Sequence, residues 1–235
     1  MTKDNKSLSP KPATAPESNL LFQAAAFTSL TIAVLSLFLF AWIGEGVAHD
    51  RTAGFDLAIR NQVHAYASPP LTKAMIFISF LGGDGLTAAA ILSVIAFLVF
   101  HWRREALRMV VTILGALVLD LSLKYAFHRP RPVPFFVPVP YTYSFPSGHS
   151  LFSFCFYGVL AGLLTKRIQS RLGRVLIWTL AALLVAAIGL SRVYLGVHYP
   201  SDVIAGYLAA SLWVSTLVAL DRVRVELKDT SNRDT

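Results

Sequence analysis

The sequence predicts an all-α membrane protein, a six-transmembrane helix bundle with an amphipathic helix on the periplasmic side. Composition is the first reason: 55% of the 235 residues are hydrophobic, only 14% are charged, and the mean hydropathy is +0.58. Soluble domains carry about a quarter charged residues, so this chain has too little charge to face water throughout. The second reason is that apolar stretches long enough to cross a bilayer recur along the chain, separated by polar segments.

The first span is predicted between Leu20 and Ile43, a stretch without a charged residue. It is long enough to cross a hydrocarbon core of about 30 Å as a helix. A cleaved signal peptide is the alternative, but its apolar region would have only about 7–15 residues. Polar residues 1–19 are expected to form a disordered cytoplasmic tail. The membrane domain is then residues 20–221, and residues 222–235 form a cytoplasmic C-terminal tail.

An amphipathic helix is predicted within the polar segment 45–70, on the membrane surface. Four apolar side chains recur there at helical spacing: Phe55, Ile59, Val63 and Tyr66. The following apolar stretch, Leu71–Trp102, contains three glycines between residues 82 and 85. It is either a surface or re-entrant helix followed by a span, or one helix broken at the glycines. Further spans are expected near residues 106–127, 149–165, 175–190 and 202–220.

The distribution of lysine and arginine predicts the orientation, because cytoplasmic loops carry an excess of both. If the N-terminus is cytoplasmic, the cytoplasmic segments hold 14 of the 21 basic residues: Lys3, Lys6, Lys11, Arg103, Arg104, Arg108, Lys166, Arg167, Arg171, Arg174, Arg222, Arg224, Lys228 and Arg233. Both termini are therefore predicted in the cytoplasm, with the plasma (inner) membrane as the location. The net charge of +8 then reflects topology, and no nucleic-acid partner is expected. One cysteine, Cys155, excludes a disulfide framework and a thiolate metal cluster.

Several polar residues lie where a bilayer makes charge costly, about 2.5–3.5 kcal/mol per Asp, Lys or Arg at mid-helix. They are Asp120, Lys124, Arg131, His149, Arg192, His198 and Asp202. In the predicted topology, those from Lys124 onward lie at the outer ends of helices three to six. We expect them to converge on one polar pocket at the periplasmic or extracellular face.

These residues form three ordered motifs. The first is Lys124, six residues, then Arg131-Pro132; the second is Pro146-Ser147-Gly148-His149; the third is Ser191-Arg192, five residues, His198, three residues, Asp202. In this order they resemble the signature of the type-2 phosphatidic acid phosphatase superfamily, and no signature position is missing. The resemblance covers about residues 50–220 and implies a membrane lipid phosphate phosphatase with six spans.

The residue types fit phosphate chemistry independently of the family resemblance. Lys124, Arg131 and Arg192 supply three fixed positive charges, and the two arginines can grip phosphate oxygens bidentately. Ser147, Gly148 and His149 lie where a helix begins, so free backbone N–H groups are expected there, and Gly148 permits close approach of an oxyanion. Such donors stabilise a transition state that accumulates negative charge.

The two histidines need different roles. Asp202 follows His198 by one helical turn, so its carboxylate can hold one ring nitrogen protonated and leave the other free to attack phosphorus. His149 is then left as the general acid and base. The resemblance implies the same assignment: phosphohistidine at His198, orientation by Asp202, phosphate binding by Lys124, Arg131, Ser147, Gly148 and Arg192, and no metal or other cofactor.

Other readings of single residues remain open from the sequence. Asp120 and Lys124 are four apart and could neutralise each other within one helix. Arg129 is expected to face lipid headgroups rather than the site. Ser191 either contacts phosphate or caps a helix end.

The function predicted is hydrolysis of a phosphomonoester or pyrophosphate on a membrane lipid, the predicted partner of the site. Candidate substrates are phosphatidate, phosphatidylglycerophosphate, lysophosphatidate and undecaprenyl pyrophosphate. A lipid phosphotransferase with the same intermediate is the close alternative. A proton-coupled transporter would place its charges near the bilayer midplane, unlike this chain. The signature also occurs in soluble vanadate-binding haloperoxidases, whose chemistry the six apolar spans disfavour. The sequence does not define the oligomeric state.

Overall fold

The computed structural model describes residues 15–231, with side chains described for residues 24–224. In that part of the chain every regular element is an α-helix, as predicted. The eight helices are α1 (Ala15–Ala48), α2 (Ala53–Ala65), α3 (Pro69–Phe80), α4 (Asp84–Val99), α5 (Arg103–Phe127), α6 (Gly148–Thr165), α7 (Arg171–Tyr194) and α8 (Pro200–Ser231).

The described residues contain six helical segments long and apolar enough to span a membrane, the number predicted. Helices α3 and α4 count together as one candidate span, Pro69–Val99. The helix is broken at the glycines, and a surface or re-entrant α3 and a broken span both fit this break, so the choice between them stays a prediction. Both pieces are apolar, and the break falls between Phe80 and Asp84, where glycines favour a turn over a helix.

The first and last helices extend into the segments predicted as tails. Helix α1 begins at Ala15, inside the segment expected to be a disordered tail, and Pro16 in its first turn is compatible with a helix start. The rest of that predicted tail, residues 1–14, lies outside the described residues. Helix α8 continues to Ser231 through most of the predicted C-terminal tail, because no glycine or proline follows Gly206 to end it.

The helices pack with large apolar side chains facing outward. Helix α1 packs along α8, and α6 lies against α5, α7 and α8. Phe38, Leu92, Val118 and Leu180 are each more than half exposed, although exposed apolar surface of this extent is disfavoured in water. In a bilayer the same side chains face lipid tails, and helices satisfy their own backbone hydrogen bonds. The fold is that of a multi-pass membrane protein.

The connections at one end of the bundle are tied to each other. In the α5–α6 loop, the Phe135 N–H donates to the carbonyl of Leu195 in the α7–α8 loop at 3.0 Å. Gly196 follows with φ of +79°, and a Cβ there would lie 2.8 Å from the Phe135 nitrogen. Glycine is required at this position both by its backbone conformation and by the close approach. The two loops that carry Arg131 and His198 are thereby held together.

Helix α2 lies at the same end, with two charged side chains facing the protein. Its buried side chains are Asp56 and Arg60, whereas Phe55 is half exposed and Tyr66 is largely exposed. Arg60 donates to the carbonyl of Val133 in the α5–α6 loop. The predicted helix is present, and its charged face packs on the protein because partners for those charges lie beneath it.

Candidate active site

A buried histidine–aspartate pair forms at the start of α8. His198 Nδ1 lies 3.3 Å from Asp202 Oδ2, and the same oxygen accepts the Tyr199 N–H at 2.9 Å. Pro200 is the first helical residue, a position that proline favours. His198 is 2% exposed and Asp202 is fully buried. The four-residue spacing of the third motif thus places the carboxylate against one ring nitrogen, as predicted.

The other ring nitrogen faces an arginine. Arg131 Nη1 lies 3.0 Å from His198 Nε2, and Arg131 is itself anchored on the carbonyls of Thr142 and Val197. A guanidinium can only donate hydrogen bonds, so Nε2 must accept and carry no proton. The proton of neutral His198 is then on Nδ1, directed at Asp202. This tautomer leaves a lone pair on Nε2.

The electrostatic surroundings of His198 keep its ring neutral. Its pKa is lowered well below the ordinary value, first by burial and then by the positive charges of Arg131, Arg192 and Lys124. Those three cations come from α5, the α5–α6 loop and α7. Side chains from distant parts of the chain therefore act on one imidazole ring.

Lys124 pairs with Asp120 inside α5. Its Nζ lies 2.5 Å and 2.6 Å from the two carboxylate oxygens of Asp120, and both side chains are buried. The ion pair considered from the sequence is present. The pair also faces the start of α6, because a Cβ on Gly148 would lie 3.1 Å from both Lys124 Nζ and Asp120 Oδ1. The ammonium group is thus both paired and next to the second motif.

Helix α6 begins at Gly148, with Ser147 as its N-cap residue. The Ser147 N–H donates to the backbone carbonyl of Asp202 at 2.9 Å, which ties the second motif to the third. In the described residues the N–H groups of Gly148 and His149 have no acceptor. Of the three expected free N–H groups, that of Ser147 is therefore occupied, and the other two remain available for an anion.

His149 lies against the break between α3 and α4. A Cβ on Gly83 would approach His149 Nε2 to 2.9 Å, so a larger residue there would displace the ring. His149 also lies within electrostatic range of Arg192, His198, Arg131 and Lys124. The second motif thus meets both the first and the third.

Arg192 is buried on α7, and Ser79 of α3 accepts a hydrogen bond from its Nη1. The Nε atom of Arg192 is buried without a hydrogen-bond partner in the described part of the chain. Buried donors normally have acceptors, and an anionic oxygen would satisfy this one. Ser191, the preceding residue, donates to the carbonyl of Ile188 at 2.6 Å, which favours the structural reading of that serine.

Arg129 does not face headgroups; the expectation from the sequence is wrong. Its Nη1 lies 2.6 Å from Asp202 Oδ1, and its Nη2 lies 2.8 Å from Asp56 Oδ2. Only 13% of its side chain is exposed. The reason is that two buried carboxylates need a positive partner, and Arg129 is the residue placed between them.

Three residues at the site were not predicted from the sequence: Asp56, Arg129 and Ser79. A weak signal existed for Asp56, because Asp56 and Arg60 are four apart and share one face of α2. No pattern pointed to Ser79. Among the described residues, no group of three or more His, Cys, Asp or Glu side chains is placed to hold a metal ion.

Comparison with known proteins agrees with the arrangement of the three motifs. The model of the PAP2 superfamily matches residues 105–225, which are more than half of the chain and include all three motifs. The chain belongs to the PAP2 superfamily. This confirms the resemblance from which the roles of the motif residues were inferred.

Two curated PAP2-type relatives and a solved structure show what this chain is similar to. It is 31% identical over 178 residues to phosphatidylglycerophosphatase B of Bacillus subtilis, covering 74% of this chain and 87% of the relative. It is 29% identical over 177 residues to an undecaprenyl-diphosphatase of Sulfolobus acidocaldarius, covering 73% and 80%. A crystal structure of a transmembrane PAP2-type phosphatidylglycerolphosphate phosphatase from Bacillus subtilis has a TM-score of 0.74 and 25% identity, covering 82% of this chain and 96% of that one.

The relatives support a membrane phosphatase, and the described residues of this chain contain six candidate spans. His198 contacts Asp202 and Arg131, and Ser147 is bonded to Asp202 through the backbone. Lys124 approaches them beside Gly148, and His149 and Arg192 complete the group within electrostatic range. The predicted site residues therefore lie at one end of the bundle.

Proposed function

We propose that this PAP2 superfamily member is a membrane lipid phosphatase that hydrolyses a phosphomonoester or pyrophosphate through a phosphohistidine at His198. One observation carries the proposal. His198 Nε2 lies 3.0 Å from Arg131 Nη1 and its Nδ1 lies 3.3 Å from Asp202 Oδ2, an arrangement that assigns the ring proton to Nδ1. An imidazole oriented by a carboxylate and placed beside a guanidinium has the arrangement that attack on a phosphate requires.

In this proposal the substrate phosphate binds among three cations and a helix start. Arg131 and Arg192 grip its oxygens, the latter through the unpartnered Nε. Lys124, balanced by Asp120, adds charge beside the free N–H groups of Gly148 and His149. Ser147 holds that helix start against Asp202. Arg131 Nη1 gives up its hydrogen bond to His198 Nε2 when it binds phosphate, which frees the lone pair for attack. The other donors are fixed before substrate arrives and stabilise transition-state charge.

The first chemical step forms the phosphohistidine. The Nε2 lone pair of His198 attacks phosphorus, and the bond between phosphorus and the lipid oxygen breaks. The departing oxygen takes a proton from His149, whose protonated form the negative phosphate stabilises. Asp202 balances the positive charge that develops on the His198 ring.

The second step regenerates the enzyme. Neutral His149 takes a proton from water, the water oxygen attacks phosphorus, and the bond to His198 Nε2 breaks. The lone pair returns to Nε2, and inorganic phosphate leaves. No metal ion enters either step, so metal independence is part of the proposal.

The lipid nature of the substrate is supported by the site's position and by the relatives. The site lies at the ends of the spans, where a lipid headgroup meets water. The two curated relatives act, by name, on phosphatidylglycerophosphate and undecaprenyl diphosphate. The excess of lysine and arginine at the opposite end supports a site on the periplasmic or extracellular face of the plasma (inner) membrane, with both termini cytoplasmic.

A phosphate-release panel tests the proposed function. Purified protein in detergent with EDTA is expected to release phosphate from lipid phosphates faster than from soluble phosphomonoesters, without an added acceptor. Release that requires an added acceptor would indicate a phosphotransferase instead. Loss of activity in EDTA, restored by magnesium, would contradict the metal-free mechanism.

The pH dependence follows from the environment of His198. Because burial and the neighbouring cations lower its pKa, the nucleophile stays unprotonated at neutral pH. Protonation should remove activity only well below the ordinary histidine value of about 6.5. Arg131→Gln removes one of the cations and should shift the acid limb of kcat/KM to higher pH. The limb is measured with one substrate for both proteins, so substrate ionisation cancels; an unshifted limb would contradict this assignment.

A further inference from the structure

A buried chain of charges continues from the candidate nucleophile to α2. Asp202 uses its two oxygens differently: Oδ2 faces His198 Nδ1, and Oδ1 accepts from Arg129 Nη1 at 2.6 Å. Arg129 Nη2 donates in turn to Asp56 Oδ2 at 2.8 Å. Asp56 and Asp202 are both fully buried. Two helices and a loop are therefore joined by one guanidinium.

Asp56, which lies on α2, also caps the N-terminus of α8. Its Oδ1 accepts the Ser201 N–H at 2.9 Å, and its Oδ2 accepts the Ser201 hydroxyl at 2.7 Å. A carboxylate at a helix N-terminus satisfies free N–H groups and is favoured by the helix dipole. The residue capped is next to Asp202, so α2 fixes the turn that carries the candidate orienting carboxylate.

Three neighbouring side chains stabilise the positive charge of Arg129. Burial alone would lower its pKa, but the carboxylates of Asp202 and Asp56 outweigh burial and raise it. Its guanidinium also lies over the ring of Tyr199, 4.2 Å from the ring centre, a cation–π arrangement. The position of Arg129 is thus fixed by three neighbours, all on elements next to His198.

We propose that Arg129, held by Asp56, is a positioning residue for the nucleophile: it fixes the Asp202 carboxylate so that Oδ2 faces His198 Nδ1. The inference rests on the proposed function, in which His198 attacks phosphorus. Without Arg129, Oδ1 of Asp202 is a buried acceptor without its charged partner. The carboxylate then turns or takes up a proton, and in either state it no longer holds His198 in the reactive tautomer. The developing positive charge of the phosphohistidine also loses its counter-charge.

The experiment measures kcat and KM for lipid phosphate with three variants and a control. Arg129→Gln removes the charge. Arg129→Lys keeps the charge but lacks the two nitrogens that bond Asp202 and Asp56 separately. Asp56→Asn keeps an acceptor for the Ser201 N–H but removes the second carboxylate. The control is Arg51→Gln, which removes an arginine of the α1–α2 connection that pairs with Glu45 and is more than half exposed.

Removing a residue that orients a metal-ligating side chain lowers activity about 10–100-fold, and we take the same range for a residue that orients Asp202. We expect that loss in kcat for Arg129→Gln, with KM near that of the wild type because the phosphate-binding cations are unchanged. Arg129→Lys is expected to recover part of the loss, and Asp56→Asn to lose less than Arg129→Gln. Arg51→Gln should keep wild-type kinetics.

Inhibition by vanadate and by inorganic phosphate distinguishes a positioning role of Arg129 from general disruption of the site. Vanadate mimics the transition state by bonding to the attacking nitrogen, so it depends on the orientation of His198, whereas inorganic phosphate depends on the cations. For Arg129→Gln we expect weaker inhibition by vanadate and unchanged inhibition by phosphate. Equal weakening of both, or wild-type kcat in Arg129→Gln and Arg129→Lys, would overturn the inference. If the wild type released no phosphate from any lipid, the proposed function itself would fail.

Discussion

Replacing His198 with alanine is expected to abolish turnover, with kcat at least about 10⁴-fold below the wild type. The loss is this large because the variant has no atom to accept the phosphoryl group, and removing a nucleophile in a comparable covalent mechanism costs about 10⁶-fold. The remaining cations still bind the phosphate, so substrate affinity should persist. Steady-state phosphate release measures kcat, and substrate protection against thermal unfolding reports retained binding.

His49→Gln is the control for the loss of a histidine. His49 is exposed at the end of α1, where its Nδ1 lies 2.9 Å from the carbonyl of Glu45, and it takes no part in the hydrogen bonds of His198. This variant should keep wild-type kcat. Near-normal turnover in His198→Ala would remove His198 as the nucleophile.

Replacing His149 with alanine is expected to lower kcat for lipid phosphates by about 10²–10⁴-fold, the usual contribution of a general acid or base. The effect should depend on the leaving group. An aryl phosphate releases a stabilised phenolate that needs no proton, so formation of the phosphohistidine from it should be much less impaired. Rapid-quench measurement of the first turnover separates that step from the later hydrolysis.

His128→Asn is the matched control for this variant. His128 is exposed at the C-terminal end of α5 with φ of 47°, a conformation that asparagine tolerates. It should behave like the wild type with both substrates. Equal losses of the first-turnover rate with lipid and aryl phosphates in His149→Ala would contradict the role of general acid.

The fold was predictable because a bilayer imposes strong rules on composition. Charge-free stretches such as Leu20–Ile43 indicate spans directly. The meeting of the three motifs was predictable as well, because charged residues near span ends are costly unless they share a polar site. The four-residue spacing of His198 and Asp202 predicted their contact, and the structure has it.

The contacts between polar residues that are distant in sequence were not predictable. Spacing within α2 cannot indicate that Asp56 meets Arg129, which is 73 residues away in sequence. Arg129 and Arg131 are each followed directly by a proline, and nothing local distinguishes an inward arginine from a headgroup-facing one.

Backbone hydrogen bonds between the motifs were also not predictable from the sequence. The second motif predicted three free N–H groups, yet the Ser147 N–H is bound by the carbonyl of Asp202. That bond requires α6 and α8 to start side by side, an arrangement set by packing around Gly206, where a Cβ would lie 2.6 Å from the Ser147 carbonyl oxygen. Sequence motifs give residue types, and packing decides which of their groups remain free.

Direct identification of the phosphorylated residue bears on the mechanism more closely than any rate. Wild-type protein is mixed with lipid phosphate labelled in its phosphoryl group, quenched in alkali within the first turnover, digested and analysed by mass spectrometry. The account predicts a single labelled peptide, with phosphate on Nε2 of His198 and none in His198→Ala. Label on any other residue, or none during a first turnover that releases phosphate, would contradict it.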